Sequence, residues 1–332
     1  MARWVSSLLL GLSLASPAAC GEAKPGGAAA PLRLEQTIPL QGVSGRIDHL
    51  AVDVQHRQLF VAELGNGSVG VVDLAGGPTR RITGLKEPQG LAYLPDRNEL
   101  VVASGGDGSV RFYDAATLSQ TGLITLGDEA DNVRVEPRSG EVVVGYGSGV
   151  LAFIDPARRI VIRTIKLPGH PEGFRLDAQH GRAFVNIPDV RRIAVANLAS
   201  GTVARTWPEA HRLTFPMALD EASSTLAVIS RLPAHLVLLD TATGATRQDL
   251  STCGDADDVF FDAKRHRIYV SCGSGAIDVL LRSDTGYGPA ARVATRSGAR
   301  TSLFVPELDR LFVAARAGTF GQDAAILVFQ PR

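Results

Sequence analysis

A segment of roughly 42 residues recurs seven times in this chain, and this repeat narrows the choice of fold more than any other feature. We place one anchor residue before the first apolar run of each copy, and successive anchors lie 41 to 44 residues apart. The anchors are Ile47, Pro88, Ala130, Pro171, Thr214, Ala256 and Arg300. A period near 40 residues with four short strands per copy is typical of a β-propeller blade.

The first copy shows the pattern of strands and turns. Runs rich in Val, Ile, Leu and Phe at 48–53, 58–63, 68–74 and 79–85 alternate with turns rich in Gly, Asn and Pro. This pattern predicts four antiparallel strands, a to d, with strand a innermost. Strand c ends in an aspartate in four copies, where the carboxylate can bind the backbone of the next turn. These residues are Asp73, Asp114, Asp155 and Asp240.

The seventh copy has only three strands before the chain ends, near 302–305, 310–315 and 324–329. The segment 32–40, LRLEQTIPL, alternates apolar and polar residues and can supply the missing outer strand. Its apolar residues are Leu32, Leu34, Ile38 and Leu40. We therefore predict an all-β chain, a seven-bladed β-propeller of four-stranded antiparallel blades, closed by an N-terminal strand that completes the last blade.

The N-terminal residues are predicted to be a targeting segment. Residues 1–20 combine Arg3, a short apolar run and small residues before Cys20, which is typical of a secretory signal peptide. Cys20 is also a candidate site of lipidation, because SPAAC partly fits a bacterial lipoprotein site. Residues 21–31 form a leader of small residues, and 32–332 the propeller. We expect a periplasmic or extracellular protein.

The charge balance gives no indication of a nucleic-acid partner. The chain has 34 basic and 34 acidic residues and no basic run, so nothing suggests binding to nucleic acid. We expect contact with a membrane only through a lipid on Cys20. We also expect a monomer whose partner is a small molecule or a protein.

The repeats resemble the YVTN-repeat β-propeller family of bacterial secreted proteins. The resemblance covers residues 32–332 and rests on LFVAELGNGSVGVVDL at 59–74, LVVASGGDGSVRFYDA at 100–115 and IYVSCGSGAIDV at 268–279, with PQG at 88–90 and PEG at 171–173. It implies a propeller and leaves the function open, since distant propeller relatives include lactonases and quinoprotein dehydrogenases. The chain has no Trp-Asp pair, so it does not resemble a WD40 protein.

The start of strand a holds the candidate site, because this strand lines the central channel and its first residues lie at the channel mouth. Four of the seven residues that follow the anchors are acidic, and the next positions add further polar residues. We predict ligand-binding residues Asp48, His49, Gln89, Asp131, Asn132, Glu172, Asp257 and Asp258. Converging carboxylates suit a cation or a hydroxyl-rich ligand. The alternative is that they bind backbone or pair with Arg300 and Arg316.

Other motifs add little. The G-x-G-x-x-G match at 65–70 is followed by a strand, which indicates a hairpin turn and not a nucleotide site. His56, His180 and His266 fall in turns between strands a and b, whereas His49 and His170 lie near the channel. Cys253 and Cys272 flank the first two strands of the sixth copy, so we predict a disulfide between them.

These observations favour a binding or scaffold protein that recognises a ligand or protein at the channel mouth. The alternative is a metal-dependent lactonase in which Asp48, Asn132, Glu172 and Asp257 hold a divalent cation. A quinoprotein-like dehydrogenase is a weaker alternative. We assign no catalytic residue and predict no cofactor; a divalent cation belongs to the lactonase alternative.

Overall fold

The computed structural model describes residues 30–318 and 321–332. These residues form 28 strands in seven four-stranded antiparallel sheets, which are the blades of a ring. The predicted all-β, seven-bladed architecture is confirmed. The predicted signal peptide, Cys20 and nearly all of the leader lie outside the described residues.

The first strand, β1 (Leu32–Pro39), joins the last blade, and blades 1 to 4 follow it in chain order. Their strands are β2 (Leu50–Asp53), β3 (Gln58–Glu63), β4 (Ser68–Asp73), β5 (Arg80–Thr83), β6 (Pro88–Leu94), β7 (Glu99–Ser104), β8 (Ser109–Asp114), β9 (Gln120–Thr125), β10 (Ala130–Val135), β11 (Val142–Tyr146), β12 (Val150–Asp155), β13 (Ile160–Lys166), β14 (Phe174–Asp177), β15 (Arg182–Ile187), β16 (Arg192–Asn197) and β17 (Thr202–Pro208).

Blades 5 to 7 complete the ring. Their strands are β18 (Arg212–Asp220), β19 (Thr225–Leu232), β20 (Ala234–Asp240), β21 (Thr246–Ser251), β22 (Ala256–Asp262), β23 (Arg267–Cys272), β24 (Ala276–Ser283), β25 (Gly286–Ala294), β26 (Thr301–Val305), β27 (Arg310–Ala315) and β28 (Ala325–Pro331). Three 3-10 turns lie at Leu64–Asn66, Pro95–Arg97 and Pro188–Val190. In the described part of the chain, no helix is long and apolar enough to cross a membrane.

Seven apolar cores fill the spaces between neighbouring blades. The core between blades 7 and 1 joins Leu59 and Val61 to Phe312 and Ile326, so the last blade packs against the first. Each blade thus buries both faces of its sheet, which explains why strands b and c are continuous apolar runs.

Glycines let adjacent inner strands approach closely. A Cβ on Gly90 would lie 1.9 Å from the carbonyl oxygen of Asp131, and one on Gly173 would lie 2.3 Å from that of Phe215. The PQG and PEG segments therefore have a packing role, because only glycine fits where the backbone of one blade meets the next.

The aspartates that end strand c act as predicted. For example, Asp240 Oδ1 accepts hydrogen bonds from the backbone N–H groups of Ala242 and Thr243, each at 2.9 Å. In blade 4, Asn197 makes the same contacts with Ala199 and Ser200. An amide oxygen thus replaces the carboxylate in the copy that lacks the aspartate.

β1 pairs with β28 as the outer strand of blade 7. The burial differs from the sequence expectation in one respect: Leu32 and Leu40 are buried, but Leu34 is 49% exposed. The register shifts between Leu34 and Gln36, and this bulge breaks the alternation of faces. Smaller differences concern strand ends, since strand a of blade 1 begins at Leu50 and not at residue 48.

Candidate functional site at the channel mouth

A narrow polar cavity lies among the inner strands. Seven of the eight predicted site residues line it: Asp48, His49, Asp131, Asn132, Glu172, Asp257 and Asp258. The space open to the centres of water molecules is about 50 Å³. One water needs about 10–15 Å³ on this measure, so the cavity can take a few waters or a ligand of few atoms.

Gln89 is the exception. It is buried, but it is not among the residues that line the cavity. Its amide lies 3.4 Å from Glu129 Oε1 and packs against Gly105. His170 also lies off the cavity, where its Nδ1 is 2.7 Å from the carbonyl oxygen of Gly147.

β-Bulges at the start of strand a affect the directions in which the side chains there point. The register of strands a and b shifts between Pro88 and Leu91, Ala130 and Val133, and Ala256 and Asp258. A bulge places two residues opposite one and turns a side chain away from simple alternation. Repeat position predicts seven of the eight residues but not that Gln89 lies off the cavity.

Arginines neutralise part of the predicted acidic ring. Arg46 Nη2 lies 2.7 Å from Asp48 Oδ2, and Arg300 Nε lies 2.9 Å from Asp257 Oδ2. Arg231 also binds Asp257. Ion pairing, the alternative that the sequence offered, therefore describes Asp48 and Asp257. Arg316 is not paired with a described carboxylate.

Two further arginines face the cavity without such a partner. Arg134 donates to Asn132 Oδ1 at 3.1 Å and to the carbonyl oxygen of Val133 at 2.7 Å, and Arg175 donates to that of Phe174 at 2.9 Å. Among the described residues, no carboxylate oxygen lies within the 4.0 Å ion-pair distance of either guanidinium. Each arginine lies four positions after the anchor of its repeat, at the end of DNVR and of EGFR. This shared position is a signal in the sequence that was not used to predict the site.

Burial weakens the charges of the groups around these arginines. Burial raises the pKa of Asp131 well above its ordinary value, and the nearby charges of Asp48 and Glu172 raise it further. Burial, followed by repulsion from Asp257, does the same to the pKa of Asp258. These carboxyls therefore carry less negative charge than exposed ones at the same pH.

The arginines and His49 are affected in the opposite direction. Burial and then repulsion from Arg134 lower the pKa of Arg175 to about 9. Burial and then the charge of Arg134 lower the pKa of His49 to about 3, so its imidazole is neutral at pH 7. Burial likewise lowers the pKa of Arg134, while the charges of Asp258 and Asp131 oppose that shift.

The predicted metal ligands do not form a ready site. The oxygens of Asp48, Glu172 and Asp257 do not all lie within 4.8 Å of one another. The fourth candidate, Asn132, uses its amide oxygen to accept from Arg134. A cation would have to displace the arginines that are bound to Asp48 and Asp257. As arranged here these residues do not fit a metal ion, and we propose no step through one; the lactonase alternative stays a hypothesis.

The comparisons with known proteins concern the fold. No family model matches the chain, and no curated protein matches it in sequence. The fold is shared with known structures. A chain from the crystal structure of the mitotic checkpoint complex aligns with a TM-score of 0.75 and 16% identity, over 98% of this chain and 99% of that one.

A chain of Kuenenia stuttgartiensis hydrazine synthase aligns with a TM-score of 0.74 and 17% identity, over 92% of this chain and 98% of that one. Identities this low establish the propeller architecture alone. The resemblance to the YVTN-repeat family stays a prediction.

Proposed function

We propose that this chain is an exported binding protein whose channel-mouth cavity holds a small anionic ligand. The proposal rests on Arg134 and Arg175, which face one cavity and have no described carboxylate within ion-pair distance. Arginine presents several N–H donors in a plane that matches carboxylate and phosphate oxygens. An anion would relieve the repulsion between the two guanidinium groups.

The size and polarity of the cavity support the same class of ligand. Its volume of about 50 Å³ suits a group the size of acetate or phosphate. Asn132 and the raised-pKa carboxyl of Asp131 add polar groups beside the arginines, joined by a hydrogen bond of 3.1 Å. A protonated carboxyl can donate to an anion.

Export is part of the proposal and is supported by two observations. The N-terminal sequence is typical of a signal peptide, and Cys253 and Cys272 form a disulfide. Disulfides persist mainly in oxidising compartments.

Calorimetric titration with acetate and with inorganic phosphate tests the function. We expect one of these probes to bind the native protein and to bind Arg134→Gln and Arg175→Gln at least about tenfold more weakly, which corresponds to about 1.4 kcal/mol. The matched control is Arg192→Gln, which removes the same charge from an exposed residue of β16.

Circular dichroism establishes that each variant is folded. Absence of binding of both anions to the native protein contradicts the proposal. Equal binding by Arg134→Gln and the native protein also contradicts it.

A further inference from the structure

A second cluster of polar side chains lies in blade 5, apart from the channel cavity. His211 Nε2 lies 2.9 Å from Asp249 Oδ2, and His235 Nδ1 lies 2.6 Å from Asp249 Oδ1. The ligand atoms of all three residues lie within 4.8 Å of one another. Within residues 30–318 and 321–332, no other group of three His, Cys, Asp or Glu side chains converges in this way.

Three separate segments of the chain build this cluster. His211 belongs to the loop between β17 and β18, which connects blade 4 to blade 5. His235 is the second residue of β20, and Asp249 lies near the end of β21. These segments lie at the face where strand a begins, so the cluster shares the face of the channel mouth. None of the three residues lines the channel cavity.

The cluster is open to solvent and yet held in place. The side chains of His211, His235 and Asp249 are 19%, 26% and 36% exposed, so an ion can reach them from solution. The two imidazole rings pack edge to face with their centroids 4.6 Å apart. The opposite ring nitrogen of His235, Nε2, lies 3.4 Å from Ser251 Oγ.

We propose that His211, His235 and Asp249 bind a divalent transition-metal ion of the Zn²⁺ type, through Nε2 of His211, Nδ1 of His235 and one carboxylate oxygen. Imidazole nitrogen is a preferred ligand of such ions, whereas Mg²⁺ and Ca²⁺ prefer oxygen. Three protein ligands leave a coordination position for water or for an added ligand.

The ligand atoms have to shift to hold an ion, because the two histidines contact different oxygens of Asp249. Bonds of about 2.0–2.2 Å in a tetrahedral site place ligand atoms roughly 3.3 Å apart. Whichever oxygen of Asp249 is the ligand, its contact of 2.9 Å with His211 or of 2.6 Å with His235 has to lengthen by several tenths of an ångström. The ring of the other histidine has to move to that oxygen's side. The ion replaces the proton between each ring and Asp249. In His211 that proton moves to Nδ1. In His235 it moves to Nε2, where it can be donated to Ser251 Oγ, and this contact orients the ring.

Metal titration tests the proposal. The purified protein is first treated with a chelator, which removes any bound metal. We expect one Zn²⁺ per chain, and we expect Co²⁺ to give the visible absorption of a tetrahedral site. His235→Gln and Asp249→Asn are expected to lower the affinity at least about tenfold and to abolish the Co²⁺ spectrum. Asp249→Asn nearly preserves the shape of the side chain.

His56→Gln is the matched control. His56 Nδ1 lies 2.6 Å from Asp53 Oδ2, like the pair in the cluster, but without a second histidine. The His56→Gln variant should bind Zn²⁺ as tightly as the native chain does. Absence of stoichiometric binding to the native chain overturns the proposal. Zn²⁺ binding by folded His235→Gln or Asp249→Asn with the affinity of the native chain also overturns it. The anion titration at Arg134 is independent of either result.

Discussion

Cys253 and Cys272 form a disulfide whose Cα atoms lie 5.8 Å apart. Cys253 precedes strand β22, and Cys272 is the last residue of β23, so the bridge joins the start of strand a to the end of strand b within blade 6. Both residues are buried among the apolar side chains between blades 5 and 6. The bridge therefore fixes an inner strand at the channel-mouth face.

The first prediction concerns the stability that this bridge provides. The cysteines are 19 residues apart, and closing a loop of about that length contributes roughly 3 kcal/mol in the chain-entropy model. We expect the Cys253→Ala/Cys272→Ala variant to lose about this much unfolding free energy in urea. When the unsubstituted protein is denatured without a reducing agent, thiol titration should find no free thiol from this pair. Two reactive thiols would contradict the bridge.

The second prediction concerns β1 and Leu40, the residue that follows it. Leu40 is buried in the core between blades 7 and 1, whereas Leu34 of the same segment is 49% exposed. Leu40→Ala should cost about 2–5 kcal/mol, because it removes buried methyl groups and leaves a cavity. Leu34→Ala is the matched control and should stay within about 0.5 kcal/mol of the native protein. Equal urea midpoints for the two variants would contradict a stabilising role of Leu40 between blades 7 and 1.

Removal of the whole strand is the stronger form of this experiment. A chain that starts at Gly42 lacks β1 and leaves the edge of β28 bare, which favours aggregation. We expect it to melt well below a chain that starts at Pro31, or to aggregate. Identical melting curves would show that the ring closes without β1.

The third prediction concerns Glu209, which is buried at the end of blade 4. Burial raises its pKa from 4.5 to about 7, while Thr214 and Arg191 oppose the shift. Between these values the folded chain binds more protons than the unfolded chain, so this residue makes stability fall as pH rises from 4.5 to about 7. Glu209→Gln should remove this fall and be more stable than the native protein above pH 7.

Urea unfolding at several pH values measures the effect. Glu307→Gln, which changes an exposed glutamate in the same way, is the control and should keep the native pH dependence. A Glu209→Gln variant with that same dependence would contradict the assignment.

The fourth prediction concerns His49. Its pKa is lowered from 6.5 to about 3 by burial and then by Arg134, so the unfolded chain binds more protons between these values. His49 therefore contributes stability that is present above pH 6.5 and is lost as pH falls toward 3. In NMR spectra, its imidazole signals, assigned with His49→Gln, should not titrate between about pH 5 and 8. A His49 signal with a midpoint near 6.5 would refute the buried, neutral state.

The sequence by itself determined the architecture. The period between anchors such as Ile47 and Pro88, and the apolar runs within each copy, are local signals, because each blade is a meander of neighbouring strands. Counting strands was enough to pair the first segment with the last blade. The turn role of Asp240 and the proximity of Cys253 to Cys272 also follow within a single blade.

Only the tertiary structure decided the chemistry of the two candidate sites. Arg231 of blade 5 reaches Asp257 of blade 6, and bulges at the starts of inner strands help to determine which side chains face the channel. His211 reaches Asp249 from a loop that connects two blades. These contacts depend on the twist of each sheet and on the packing of one blade against the next, and a repeat pattern contains neither.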